Sequence, residues 1–418
     1  MHDVTYPEGT SCEMTPGLLP LDEAVALALA QVSPIAQAER IPLAEAVGRV
    51  AAKDILAPAA MPLFDNSAMD GFALRLADLA GGDSLPLAGT VPAGAAPRDL
   101  PPGVALEIFT GAPVPQGADA VVMIENARVA GARVQFHRLP KAGDNIRRAG
   151  SDQPLGARLV ARGQPLRPLH VGLLAANGIT QVEVSRRPRV AVFSTGDELT
   201  GGGTPGRIHD ANRPMLLTLA REAGAEAEDM GILPDDLAAT TRALAALGDR
   251  FDLILTSGAV SMGGRDHMRD AIVAAGGALT GWRVALKPGK PVAFGRIGKT
   301  AITGLPGNPF SAYTGFHLFA GPQIARLAGA APAPFASVPA RAGFGWSRKP
   351  GRAEVFPARL AGHDPAGVPI LERLGAGVSA TLFPLTEADG LGLVAASTAH
   401  VSEGDMIRWQ PFCKGGLE

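Results

Sequence analysis

Between about residue 187 and residue 328 the chain alternates apolar runs with helix-like segments: RVAVFSTG (189–196), NRPMLLTLAREAG (212–224), AEDMGILPDD (227–236), LAATTRALAAL (237–247) and FDLILTSG (251–258). Runs of Val, Ile and Leu that do not alternate with polar residues must be buried on both faces. The intervening helices supply that cover, so the stretch predicts a parallel α/β sheet with helices on both sides. Ligands of such sheets sit beyond the carboxyl ends of the strands. Three segments occupy that position, FSTGDEL (193–199), LTSGAVSMGGRDHM (255–268) and ITGLPGNPFSA (302–312), and all three are expected to meet on one edge.

The rest of the 418 residues exceeds what one core holds, so about three domains are expected. LDEAVALALAQV (21–32) has acids in its first turn and helical apolar spacing, and PLAEAVGRVAA (42–52) reads as a second helical piece. Helical character returns in PLHVGLLAANG (168–178), with Pro168 suited to a first turn and Gly178 to a C-cap. Between them, residues 53–146 are punctuated by Pro and Gly and carry short strand-like runs such as VVMI (121–124) and ARVQFHRL (132–139). A β-rich insertion therefore splits a helical domain into residues 17–52 and 147–186. Residues 187–328 form the α/β domain. From 329 the spacer GAAPAPFASVPA leads into RAEVFPARL, GLGLVAAS and DMIRWQPF, a small β domain over 329–418.

Thirty-eight Lys and Arg against 40 Asp and Glu give a formal charge of -2, which exerts no global attraction on nucleic acid or an anionic membrane. An anionic ligand must be held locally. Cys12 and Cys413 have no metal-ligand or disulfide-framework spacing. The N-terminus lacks a basic-then-apolar leader, and the longest uncharged stretch, Thr300 to Ala325, is broken by Pro306, Pro309 and Pro322. These features predict a cytoplasmic protein.

Gly258, Gly263 and Gly264 allow backbone N–H groups to approach an anion, and a helix starting near Asp266 adds its positive end, so phosphate is the expected guest. No G-x-x-x-x-G-K-[ST] segment is present, which disfavours a P-loop ATPase. Asp197, Glu198, Asp235 and Asp266 would repel a bare phosphate unless a cation intervened, and oxygen ligands beside phosphate indicate Mg²⁺. Lys287 and Lys290 in LKPGKP, with Arg283, form a candidate anion contact, whereas Arg147 and Arg148 read as a solvated face. His209 and His267 have no partner nucleophile and are not assigned catalysis. In MPLFDNSAMDGFA (61–73) and EIFTGAPVPQGADAVVMIEN (107–126), Asp65, Asn66, Ser67, Asp70 and Thr110 are either site residues or turn and cap residues. Physics alone stops at a metal-dependent phosphate-ester or nucleotide site.

Together FDNSAMDGFA, TGAPVPQGADAVVMIEN, GDNIRRAGSD, FSTGDEL, SGAVSMGGRDH, LKPGKPVAFG and GLPGNPFSA resemble the MoeA family of molybdopterin molybdenumtransferases, related to the E domain of gephyrin, from about residue 17 onward. The resemblance implies an elongated homodimer with a split helical domain, a β insertion, a molybdopterin-binding three-layer α/β domain and a C-terminal β barrel. It also implies the last step of molybdenum cofactor biosynthesis: Mg²⁺-dependent, molybdate-triggered cleavage of adenylylated molybdopterin to molybdenum cofactor and AMP. The resemblance further places the site between the α/β domain of one subunit and the insertion of the other.

By motif, the resemblance assigns Asp65, Thr110, Asp152, Glu198, Asp235 and Asp266 to catalysis, with Glu198, Asp235 and Asp266 on the metal. It assigns Ser257, Gly258 and Ser261 to the phosphate loop and Arg283, Lys287 and Lys290 to anion contacts, with Pro306 and Pro309 shaping the pterin-phosphate loop. Ala259 departs from the family's SGG loop, Arg283 stands where many relatives carry lysine, and GGRD lacks the acid often found after the first glycine. Implied transient partners are a molybdopterin adenylyltransferase and recipient molybdoenzymes. Two alternatives are an adenylyltransferase, against which the insertion argues, and a non-catalytic gephyrin-like scaffold, which usually carries an additional fused domain.

Overall fold

The computed structural model describes residues 17–200, 205–258, 267–332, 337–375 and 377–412. The sheet of the α/β domain has six strands in the order Glu226–Leu233, Arg189–Thr195, Leu253–Ser257, Thr300–Leu305, Pro291–Ile297, Ala278–Arg283. The first four are parallel, as expected, but Pro291–Ile297 runs antiparallel to them, and the edge strand Ala278–Arg283 pairs antiparallel with it. The reversal is local: Ile297 pairs with Thr300, and Gly298, at φ +56, supplies the left-handed residue of a hairpin too short for a crossover helix.

Alternate residues of the central strands feed opposite cores, which is why their sequences are continuously apolar. Val190, Val192, Leu253 and Leu255 meet Leu216, Leu217 and Ala220 of helix α3 (Asn212–Glu222). Ala191, Phe193 and Ile254 meet Leu244 and Leu247 of α4 (Leu237–Leu247) and Met268, Ala271 and Ile272 of α5 (His267–Ala274). Helix α1 (Leu21–Ala30) packs Ala24 and Ala28 into the first of these cores. Leu19 reinforces the attachment by exchanging backbone hydrogen bonds with Arg283 and Ala285, both at 2.8 Å. The first segment of the chain is thus joined to the α/β sheet.

PLAEAVGRVAA is not a helix. Ala38–Pro42 is a strand paired antiparallel with Gln181–Ser185, followed by a single 3-10 turn over Leu43–Glu45. Gly48 at φ +78 interrupts any continuation, and Ile41, Leu43, Ala46 and Ala51 reach a small core with Val182, Val184 and Leu174 instead of lining one helix stripe. Helix α2 (Pro168–Ala176) supplies Leu174 and ends as anticipated, with Gly178 at φ +73. The insertion is a six-stranded sheet in the order Ala120–Met123, Gly71–Leu74, Ala105–Ile108, Ser84–Val91, Arg133–Phe136, Ala127–Ala130.

The C-terminal unit is a closed five-strand barrel. Ala353–His363 pairs with Pro369–Arg373, and the circuit runs through Val338–Ala342, Met406–Pro411 and Gly390–Val394 back to Ala353–His363. Phe356 and Trp409 fill it, with Trp346 packed alongside. A two-residue strand of the α/β domain, Leu286–Lys287, lies parallel to Ala353 and Glu354 and so stitches the domains together. Among the described residues no helix is long and apolar enough to cross a membrane.

Candidate functional site

The three anticipated loops do converge. Strands Arg189–Thr195, Leu253–Ser257 and Thr300–Leu305 are adjacent, and their ends are in step, with Ser194 opposite Ser257 and Ser257 opposite Leu305. Gly258 follows at φ +109, and a Cβ there would lie 2.2 Å from the Thr195 carbonyl oxygen. A Cβ on Gly307 would sit 3.4 Å from the Cα of Gly258, and one on Gly196 would lie 2.5 Å from a carboxylate oxygen of Glu198. The loops after Thr195 and Ser257 approach so closely because Gly258 has no side chain, and Gly307 packs against it at ordinary contact distance. What results is a crevice walled by backbone.

Asn212, which sequence reasoning missed, ties this crevice together. Its Nδ2 donates to Ser257 Oγ at 2.6 Å and to the Gly307 carbonyl at 2.7 Å, while Ser257 Oγ donates to the Pro306 carbonyl at 3.2 Å. Ser257 is 1% exposed, so its side chain braces the Pro306 loop. Asp210 secures the start of α3: it accepts from Ser194 Oγ at 3.1 Å and from the Arg213 N–H at 3.1 Å. Arg213 in turn pairs with Asp229. The signal for Asn212 was its place ahead of a helix beside Asp210, but local sequence did not reveal its partners.

On one flank stand exposed acids. The Asp235 N–H donates to Asp197 Oδ1 at 3.2 Å, which sets the acidic loops of neighbouring strands against each other, with Glu198 next in line beside Gly196. Asp236 instead caps α4, accepting from the Ala239 N–H at 2.6 Å. Ser261, Asp266, Gly263, Gly264 and Ala259 lie outside the described residues. Among the described residues no cluster of three or more His, Cys, Asp or Glu is assembled to hold a metal.

On another flank stands the KPGKP turn. Lys287 Nζ is 2.9 Å from Glu354 Oε1 of the barrel, and the Lys290 carbonyl accepts from the Val284 N–H at 2.8 Å. Arg283 is exposed. Pro309 opens helix α6 (Pro309–Gly315), and the preceding Asn308 donates to Ser379 Oγ at 2.9 Å, while the Phe310 N–H donates to the Ser379 carbonyl at 3.1 Å. Ser379 was also missed, because nothing in GAGVSATLF marks it.

The insertion residues form a separate cluster. Asp65 accepts from Arg148 Nη1 at 2.6 Å and from the Ala149 N–H at 2.8 Å, and these contacts hold its carboxyl below the usual range, the backbone donor being the larger cause. Arg148 is exposed, as expected of a solvated face, and in addition pairs with Asp65. Asp70 accepts from the Thr110 N–H at 2.7 Å and its hydroxyl at 2.8 Å, which lowers its pKa likewise. Asp152 is exposed and anchored through its N–H to the Met61 carbonyl at 3.0 Å. Leu63, Phe64, Met69 and Phe109 surround these groups and are 40–64% exposed. Among the described residues no hydrogen bond or ion pair joins Asp65, Thr110 or Asp152 to the α/β loops.

A β insertion bearing acids, an α/β domain with glycine-walled strand ends and a barrel pinned to two of its loops define a multidomain α/β protein whose candidate site lies at the carboxyl ends of its parallel strands. Residues 19–178 match the MoeA N-terminal region (domain I and II), 191–326 a probable molybdopterin binding domain, and 339–412 the MoeA C-terminal region (domain IV). The chain is 41% identical over 317 residues to a molybdopterin molybdenumtransferase of Haemophilus influenzae, covering 75% of this chain and 78% of the relative. It is 40% identical over 313 residues to molybdopterin molybdenumtransferase 2 of Mycobacterium tuberculosis, covering 71% and 76%. The crystal structure of a molybdopterin biosynthesis moeA protein from Pyrococcus horikoshii superposes with a TM-score of 0.80 at 28% identity, covering 94% of this chain and all of the other. The chain belongs to the MoeA family, whose members serve molybdenum cofactor biosynthesis.

Proposed function

We propose that this enzyme inserts molybdenum into molybdopterin, cleaving adenylylated molybdopterin when molybdate arrives and releasing AMP. The observation that carries the reading is the crevice of Gly196, Gly258 and Gly307 with acids on one flank and Lys287 and Lys290 on the other. Glycine at these positions lets the substrate's phosphate approach the main chain closely, and the lysines take the oxyanion. Glu198 and Asp235 would hold Mg²⁺, with Asp266 as the further acid. Two carboxylates on neighbouring loops fit the sparse protein ligation that Mg²⁺ accepts beside phosphate. When bound, that ion neutralises charge on the phosphoanhydride.

In the reaction, one phosphorus–oxygen bond of the anhydride breaks, water supplies the replacing oxygen, and AMP departs. Asp65, kept ionised by Arg148 and Ala149, orients the water or the incoming oxyanion from the insertion side. Among the described residues no hydrogen bond or ion pair joins the insertion cluster to the crevice within one chain, which is compatible with a second copy supplying that wall of the site. The exposed Leu63, Phe64, Met69 and Phe109 offer that copy an apolar rim.

The test is AMP release from adenylylated molybdopterin by the purified protein with Mg²⁺, with and without molybdate. Release that depends on molybdate and on Mg²⁺, with a product that reactivates a cofactor-free molybdoenzyme, is the expected result. Binding without molybdate-dependent release refutes the assignment.

A further inference from the structure

Glu354 lies at the junction between barrel and α/β domain and is 2% exposed. A buried carboxylate requires a partner, and Arg348 already supplies one: its Nε is 3.2 Å from Glu354 Oε2 and its side chain is only 2% exposed. Carbonyl groups of Ala395, Thr398 and Arg352 hold the same guanidinium in place. Charge balance inside the barrel is thus met without Lys287. Yet Lys287 Nζ approaches Glu354 Oε1 to 2.9 Å, across the two-residue parallel ladder where these residues are register partners. Lys287 keeps 42% of its side chain exposed, so it is restrained at one oxygen but still open to a ligand.

A third cation, Arg373, stacks 3.9 Å from the Trp346 ring centroid. Gly377 packs over it, its ideal Cβ 2.6 Å from Arg373 Nη2 and 3.9 Å from Glu354 Oε1. Two residues further on, Ser379 holds Asn308 and Phe310 beside the glycine crevice. One buried carboxylate therefore faces three cations at a point that touches both the KPGKP and LPGNP loops. The excess positive charge suits an oxyanion, and the restraint on Lys287 removes rotamer freedom that would otherwise be lost on binding.

We propose that Glu354 is a positioning residue that holds Lys287 ready for the tetrahedral oxyanion, so that the barrel sets oxyanion affinity for a site built mainly on the α/β domain. This rests on the reading of the chain as a molybdate-dependent transferase.

The experiment uses full-length Glu354→Gln, Glu354→Asp, Lys287→Met and the double variant Lys287→Met/Glu354→Gln. Each is titrated with sodium molybdate in the AMP-release assay and, independently, by calorimetry. Glu354→Gln should raise the KM for molybdate about tenfold, with kcat and the KM for the adenylate within about twofold of wild type, the pattern of a lost binding interaction. Glu354→Asp should recover part of that loss, and Glu354→Gln should add less than about twofold in the Lys287→Met background. An unchanged KM overturns the proposal. So does tighter molybdate binding, the result if Glu354 merely subtracts charge, and so does full additivity in the double variant. If Glu354→Gln fails to fold, Glu354→Asp decides: it should fold and raise the molybdate KM about threefold, and a wild-type KM overturns the proposal. A wild-type protein that releases no AMP defeats the functional reading instead, and the calorimetric titrations still judge the positioning role.

Discussion

Replacing Gly258 with alanine tests the crevice most directly. The new Cβ would lie 2.2 Å from the Thr195 carbonyl oxygen, a backbone atom that cannot swing aside, and φ +109 is a conformation L-residues rarely adopt. Relief requires the loop to retreat by over an ångström. Backbone strain of about 1–3 kcal/mol and overpacking of about 1–3 kcal/mol together predict a loss of roughly 2–6 kcal/mol. For a domain of this size that lowers the thermal transition by roughly 5–15 °C. On the proposed reading the same displacement moves the crevice wall that faces the substrate, and a shift of about 1 Å is worth on the order of 10²-fold in rate. Calorimetric unfolding and AMP release measure the two effects separately. Gly307→Ala is the control, because its Cβ would stand 3.4 Å from the Cα of Gly258, an ordinary contact, and its transition should fall by no more than about 4 °C. A Gly258→Ala protein that unfolds within about 2 °C of wild type and turns over normally refutes this account of the loop.

Asp65→Asn should slow molybdate-dependent AMP release about 10²-fold while costing less than about 1 kcal/mol of stability, because the Asp65–Arg148 pair is largely exposed; normal turnover with a normal transition argues against its role. Burial pushes the His317 imidazole down to about 4, and its Nε2 has no protein partner, so the native state holds it neutral. Because the folded value is depressed, the stability tied to this neutral state is present above about pH 6.5 and lost as pH falls toward 4. Equilibrium unfolding should show a decline of about 2 kcal/mol by pH 5, which His317→Phe should flatten; an equally steep decline in that variant would assign it to other groups.

The glycine loops could be found from sequence because apolar strands announce their own ends, and a ligand edge follows from those ends. Asp65, Thr110 and Lys287 could be found only as members of motifs, since their partners are remote. Arg148 lies 83 residues from Asp65, Ser379 lies 71 from Asn308, and Ser257 lies 45 from Asn212. No local pattern records such pairings, so Asn212 and Ser379 stayed hidden and the pairing of Arg148 with Asp65 went unseen. PLAEAVGRVAA failed for a related reason: its apolar spacing satisfies a helix, but pairing with Gln181–Ser185 and the positive φ of Gly48 outweigh a weak helical preference.

What the sequence by itself determined is periodic and short-range: the doubly buried strands, the ends of α2, the loops where glycines admit an anion, and the order of the domains. Each follows from forces acting within a few residues, such as side-chain alternation and the backbone freedom of glycine. Tertiary structure alone decided the antiparallel edge, the bracing of Ser257 by Asn212, the pairing of Lys287 with Glu354 and the separation of the insertion acids from the crevice. These depend on which surfaces meet when the chain closes on itself, where burial penalises every polar group that arrives without a partner.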